Sequence, residues 1–285
     1  MKVISSVTEL QKEIKLLLRT PVGFVPTMGA LHEGHLSLVR NAANAFPLVV
    51  VSIYVNPTQF NDKNDLKNYP RTIESDLELL KMVLRENDIV FTPGDSDIYP
   101  EEDKRVFDFG NLGKVMEALH RPGHFNGVAL VVSRLFDIVK PDYAYFGEKD
   151  FQQLAVVKEL VRQTGDKVNI VGNPIIREND GLAMSSRNVF LDAEMRKNAS
   201  VIYHSLKTAT EMIRKKDIPA IKDWVKRTIE EKNGFILEYF EIVDDRELIP
   251  VESKKDLIAG KRYFGCIALK AGKIRLIDNM EFPLF

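Results

Sequence analysis

Leu48-Val-Val-Val-Ser-Ile-Tyr-Val55 runs almost without polar interruption, and a strand of that kind is at home only where both of its faces are covered. Shorter apolar runs of the same sort occur at Val22-Gly-Phe-Val-Pro26, Asp88-Ile-Val-Phe-Thr92, Tyr143-Ala-Tyr-Phe146 and Val168-Asn-Ile-Val171. Between them lie segments with helical spacing. Thr8 is expected to cap a helix carrying Leu10, Ile14, Leu17 and Leu18, and further helices are expected over 31–44, 72–86 and 151–164, the last stopped by Gly165. Val128 to Val139 ends before Pro141 as a helix does, but its weak periodicity leaves a strand open. Strand–helix alternation predicts βαβ units with right-handed crossovers, and so a Rossmann-like, doubly wound parallel sheet of the α/β class.

Near residue 175 the pattern changes. Asp192 is expected to cap a long helix containing Met195, Ala199, Ile202 and Leu206, and a second helix carries Ile221, Trp224, Val225 and Ile229. Three β-like runs lie beyond it, over 237–243, 263–269 and 274–277. The expected division is therefore a first domain over 1–174 and a smaller α+β domain over 175–285, with 174–187 as the connection. A chain of 285 residues has room for both. Its 40 Lys and Arg balance 41 Asp and Glu for a net charge of -1, which removes the electrostatic argument for a broad nucleic-acid or anionic-membrane surface. The single Cys266 rules out an intrachain disulfide and a zinc site built on several cysteines, and favours a reducing compartment. The first residues turn polar too soon for a signal peptide and no apolar stretch reaches the ~18 residues of a membrane span, so a soluble, cytoplasmic protein is expected.

In an open α/β sheet, ligands bind beyond the carboxyl ends of the strands, so the segment after each strand carries the chemistry. After the first comes Pro26-Thr-Met-Gly-Ala-Leu-His-Glu-Gly-His35, whose glycines allow close backbone approach and whose helix offers free N–H groups to phosphate. His32 and His35 share a helical face and can hydrogen-bond phosphoryl oxygens as charge develops, although a turn with two solvated histidines has the same sequence. A zinc motif of the H-E-x-x-H type fails because position 36 is Leu. After the second strand, Gln59 in Asn56-Pro-Thr-Gln-Phe60 can donate and accept at once, which suits a hydroxy acid or an amine. Asp76 opens a helix after Tyr69-Pro-Arg-Thr and is either a metal contact or part of a solvated face. In His120-Arg-Pro-Gly-His-Phe-Asn-Gly127, Arg121 or His124 can meet a carboxylate or phosphate. Lys149 in Gly147-Glu-Lys-Asp150 can neutralise a phosphate, and Asp150 can hold a ribose or cap a helix. Met184-Ser-Ser-Arg-Asn188 again suits phosphate. Each signal is weak alone, but four come directly after expected strands and so converge on one edge of the sheet.

These stretches, in this order and spacing, resemble the pantoate–β-alanine ligases over nearly the whole chain. His32-Glu-Gly-His35 alone is similar only to the wider nucleotidylyltransferase superfamily. The resemblance implies a two-step ligation: ATP and (R)-pantoate give pantoyl adenylate and pyrophosphate, then β-alanine displaces AMP to give pantothenate. It implies that Met28, Gly29, Ala30, Leu31, His32, Glu33, Gly34 and His35 form an ATP-binding loop, with His35 the proton donor and His32 a phosphate partner. Gly147, Glu148, Lys149, Asp150, Ile176, Met184, Ser185, Ser186 and Arg187 would be further ATP contacts, with Lys149 stabilising the transferred charge. Gln59 and Gln153 would hold pantoate, and Gln59 would also border the β-alanine site. Mg²⁺ with ATP, Asp76 as its contact, a homodimer and closure of the smaller domain over the substrates complete the expectation. Two alternatives stand beside it. A nucleotidylyltransferase acting on a phosphorylated acceptor would want a further basic pocket, and a silent ATP-binding module would not need both histidines and Lys149.

Overall fold

The computed structural model describes residues 1–16, 20–61 and 63–283, so the expected helical positions Leu17 and Leu18 lie outside the described residues. Six strands form a wholly parallel sheet: β1 (Lys2–Ile4), β2 (Val22–Thr27), β3 (Leu48–Ile53), β4 (Ile89–Phe91), β5 (Tyr143–Gly147) and β6 (Asn169–Asn173), in the spatial order β1-β4-β3-β2-β5-β6. The alternation of side chains explains the uninterrupted apolar runs. Phe24 and Val50 enter one buried cluster, whereas Val25, Val49 and Val51 enter another on the opposite face. Helices His124–Val139 and Phe151–Thr164 cover the first face, and Glu33–Ala45 the second. The chain reverses its direction of winding between β2 and β5, which opens a crevice at their carboxyl ends.

Three antiparallel strands, β7 (Phe235–Asp244), β8 (Tyr263–Ala271) and β9 (Ile274–Phe282), make the second sheet. Helices Val201–Met212 and Ile218–Glu230 pack on one face through Ile202, Leu206, Ile221 and Val225. The other face sends Phe264 and Cys266 into the first core, where Phe264 lies 4.4 Å from Phe151 between ring centroids. Among the described residues no helix is long and apolar enough to cross a membrane.

Several local expectations are corrected. β1 has no counterpart among the expected strands, because Lys2-Val-Ile4 is too short to stand out from its polar surroundings. The first helix is Val7–Leu16, and Ser6 rather than Thr8 receives the Glu9 N–H at 3.5 Å. The expected helix over 31–44 begins at Glu33, because residues 29–31 bend away toward Asp76 and His32 becomes its cap. The segment expected over 72–86 is helical only for Ile73–Lys81. The long helix after Asp192 is two, Ala193–Asn198 and Val201–Met212, with tighter i→i−3 bonds at the junction, such as Ala199 N–H to Arg196 O. Val128 to Val139, open between helix and strand, belongs to the helix His124–Val139.

Candidate active site

A cleft with about 1260 Å³ of empty space opens at the carboxyl ends of β2, β3, β5 and β6. Met28, His32, Gly34 and His35 enter it from the first loop and Gln59 from the second. Gly147, Lys149, Asp150 and Gln153 come from the segment after β5. Ile176, Met184, Ser185, Ser186 and Arg187 come from the connection after β6. Most of the expected site is thus assembled in one place from parts distant in sequence. A wall of Val128, Val131, Val132 and Leu135, all from helix His124–Val139, makes one side apolar.

The histidines are oriented by their own backbone. His32 caps helix Glu33–Ala45, and its Nδ1 accepts the Gly34 N–H at 3.1 Å. His35 Nδ1 accepts the His32 N–H at 3.3 Å. Because each Nδ1 is an acceptor, each neutral ring carries its hydrogen on Nε2. Burial lowers His32 to about 4, helped by the Lys149 cation. Burial lowers His35 to about 3, with His32 and Lys149 adding to it. At neutral pH both rings are therefore uncharged donors, 4.1 Å apart between centroids.

The loop before them is held in an unusual shape. Gly29 and the non-glycine Ala30 both have left-handed backbones, with φ of 78° and 49°. The Asp76 carboxylate, 1% exposed, accepts Ala30 N–H at 2.9 Å on one oxygen and Leu31 N–H at 2.8 Å on the other, with Thr72 Oγ1 adding a bond at 3.2 Å. A Cβ at position 29 would stand 2.9 Å from Asp76 Oδ2, so only glycine fits. Thr27 Oγ1 holds the other end, accepting from Gly29 N–H at 3.2 Å and donating to Ser52 O at 2.7 Å. Ser186 Oγ donates to Ala30 O at 2.9 Å, which joins the connection to this loop. Gly29, Ala30 and Leu31 thus shape the cleft rather than line it, and Glu33 turns outward to an ion pair with Arg40.

Burial would raise the Asp150 carboxyl, but the Lys149 ammonium at 3.4 Å, with Arg187 and Arg121, holds it below the usual carboxylate range. Arg187 pairs with Asp65 at 2.9 Å and lies over the Tyr69 ring. Gln59 Nε2 reaches Met28 Sδ at 2.8 Å, and its Oε1 accepts from Asn56 Nδ2 at 3.2 Å. Asn56 also donates to Gly127 O at 3.1 Å, and His124 Nδ1–H donates to Gln59 O at 2.7 Å. Asn56 and Gly127 hold the Gln59 turn and are passed over by a residue-by-residue reading, although they share their motifs with Gln59 and His124. His124, offered as an anion contact, supports the Gln59 turn through Nδ1 and also borders a small recess beside Lys149. Arg121 faces Glu117 at 3.7 Å.

The family model for pantoate–β-alanine ligase matches residues 2–281. This chain belongs to the pantoate–β-alanine ligase family. It is 48% identical to the pantothenate synthetase of Bacteroides thetaiotaomicron over 99% of both chains. The crystal structure of pantothenate synthetase from Thermus thermophilus matches with a TM-score of 0.90 at 43% identity, covering 99% of this chain and 100% of that one. The Francisella tularensis pantoate–β-alanine ligase, described as complexed with beta-gamma ATP and beta-alanine, matches with a TM-score of 0.78 at 33% identity, covering 98% and 97%. The expected doubly wound parallel sheet and the small C-terminal sheet are both present, the parallel sheet with one strand more than the five expected.

In this ligase the Gln59 turn is pressed against helix His124–Val139. A Cβ at position 127 would meet Thr58 O at 2.4 Å and Gln59 Cα at 2.7 Å. Gly127→Ala is therefore expected to displace Gln59; on the reading proposed below, in which Gln59 orients pantoate, the KM for pantoate should rise by about 10-fold or more, since a misplacement of about 1 Å can cost about 100-fold. Steady-state kinetics at saturating ATP check this; an unchanged KM would remove the link between the helix and Gln59.

Proposed function

We propose that this chain condenses (R)-pantoate with β-alanine through a pantoyl adenylate, releasing pyrophosphate and AMP. The observation that carries the reading is the shared cleft, which brings together two Nε2–H imidazoles, Lys149, Ser185 to Arg187, the amides Gln59 and Gln153 and an apolar wall. The pantoate carboxylate oxygen attacks the α-phosphorus of ATP and the bond to the bridging oxygen breaks, with the electron pair leaving on pyrophosphate. The β-alanine amine then attacks the acyl carbon, the acyl–phosphate C–O bond breaks, AMP leaves, and the amine proton passes to solvent. A carboxylate is a poor electrophile, and the first step supplies the leaving group for the second.

His32, His35 and Lys149 would stabilise the charge that builds on the phosphates, with Met28, Gly34, Gly147, Asp150, Ile176 and Met184 to Arg187 around ATP and with Gly29 to Leu31 shaping the loop; Glu33 and Glu148, expected as contacts, do not line the cleft. In the free enzyme, at about 4 and about 3, the two imidazoles are neutral and can donate hydrogen bonds from Nε2. This is enough, because pyrophosphate leaves as a stable anion. Gln59 and Gln153 would orient pantoate, with Gln59 next to β-alanine.

The residues do not fit a resident metal. Among the described residues no group of three or more His, Cys, Asp or Glu could hold an ion, and the Asp76 oxygens are committed to backbone N–H groups. We read Mg²⁺ as arriving with ATP, bound by phosphate oxygens and water, and Asp76 as a holder of the loop. Residues 1–174 and 175–285 are read as two domains, the second with its own buried cluster and closing over the adenylate to exclude water. A homodimeric, cytoplasmic enzyme with no nucleic-acid partner is the family-based reading.

Omitting pantoate, β-alanine or ATP in turn, with Mg²⁺ present, tests the reaction. Pyrophosphate release should need ATP and pantoate, and continued AMP formation should need β-alanine as well. AMP formed without pantoate, or none with all three, would overturn the assignment.

The histidines also predict a pH effect on stability. Their folded values lie below the 6.5 of an unperturbed imidazole, so beneath that pH the unfolded chain takes up protons that the folded chain refuses. Stability is therefore lost as pH falls from 6.5 toward the folded values of about 4 and about 3, and the two rings cost nothing above 6.5. The urea midpoint of His35→Asn should fall less than that of the unsubstituted protein between pH 7.5 and 5; parallel curves would count against a depressed His35.

A further inference from the structure

The segment Gly147 to Asp150, which carries Lys149 into the cleft, is tethered on two sides. Glu148 N–H donates to Asn173 O of β6 at 2.8 Å. From the opposite side Asn279 of β9 donates from Nδ2 to Glu148 O at 2.8 Å and to Lys149 O at 3.1 Å. An amide nitrogen has two hydrogens, so this group is fully committed to two consecutive carbonyls, and the residue is only 4% exposed. Two successive peptide planes flanking the Lys149 Cα are thereby fixed.

Asn279 is itself held. Its N–H donates to Asp278 Oδ1 at 2.8 Å, and its carbonyl accepts from Arg177 Nη2 at 3.2 Å. Arg177 grips Asp278 with a fork at 2.6 and 3.0 Å, and Asp278 is 3% exposed. The connection after β6, strand β9 and the Lys149 segment thus form one hydrogen-bonded unit. Asn279 does not line the main cleft; it borders a smaller recess that shares Lys149, Asp150 and Gln153 with it. Its reach into the cleft therefore runs through the Lys149 backbone.

We propose that Asn279 is a positioning residue that aims Lys149 at the phosphates, so that the cation is correctly placed only when β9 is seated against the Lys149 segment. The proposal rests on the ligase reading, in which Lys149 stabilises the charge of adenylation. A double-mutant cycle separates this role from a general structural one. Asn279→Ala should lower kcat/KM for ATP in pantoate-dependent pyrophosphate release by about 10-fold to 100-fold. In a Lys149→Ala background the same substitution should change it by less than about 2-fold, because no cation remains to misplace. An equal loss in both backgrounds, or no loss in either, overturns the proposal. If Asn279→Ala lacks a cooperative thermal transition, Asn279→Asp, which keeps the shape but sets a carboxylate against two carbonyls, takes its place in the cycle with the same expected outcomes. If neither folds, Asn279 is a stability residue and the proposal falls. Wild-type protein without pantoate-dependent pyrophosphate release would end the ligase reading itself, a result seen before any variant is made.

Discussion

Replacing His35 with alanine is expected to slow pantoate-dependent pyrophosphate release by about 10²–10³-fold, the usual cost of removing one donor from a preorganised charge-stabilising site. The His35 ring accepts His32 N–H through Nδ1 and so presents Nε2–H toward the cleft. Alanine removes that donor and frees one backbone N–H at a helix start that water can reach. The fold should survive, with a thermal transition near that of the parent. The partner experiment varies pH. Since burial holds the ring of the free enzyme at about 3, kcat/KM for ATP should show no inflection near pH 6.5 that His35→Ala abolishes. A His35→Ala variant within a few-fold of the parent rate would take the ring out of the chemistry.

Asp76→Ala should act on a different quantity. Two backbone donors, on Ala30 and Leu31, would lose a buried charged acceptor, and the left-handed Ala30 would lose what holds it. Hydrogen bonds to charged groups contribute roughly 1.5–3 kcal/mol each, so about 3 kcal/mol or more of stability should be lost, together with weaker ATP binding. Urea unfolding and calorimetry measure the two. The decisive condition is the absence of any divalent ion. A loop-holding carboxylate costs stability there, whereas a metal contact would leave the metal-free protein unchanged and shift only its Mg²⁺ requirement.

The winding of the first sheet is legible in the sequence because strands buried on both faces must be almost wholly apolar, as residues 48–53 are apart from Ser52. Most of the cleft is legible because every segment after a strand in such a sheet opens on the same side. Glycines and polar clusters there have few other reasons to occur. Asp76 is visible as a carboxylate near the site, but its task depends on two N–H groups more than forty residues away, and no periodicity reports a contact of that kind. Asn279 is hidden for a similar reason: the β-like run reads as ending at Ile277, whereas pairing with β8 carries the strand to Phe282. The break in the helix after Asp192 is not legible because local spacing cannot sense the i→i−3 bonds that tighten one turn.

The close approach at Gly127 restricts how this enzyme could be taught a new acid. Helix and amide turn are bolted together there, so the pocket cannot be widened by sliding one past the other without dislodging Gln59. Room for a bulkier substrate has to be carved from Val128, Val131, Val132 or Leu135, whose side chains can be shortened while the backbone stays where it is. A redesign that respects this would leave the anchor intact and change only the upholstery.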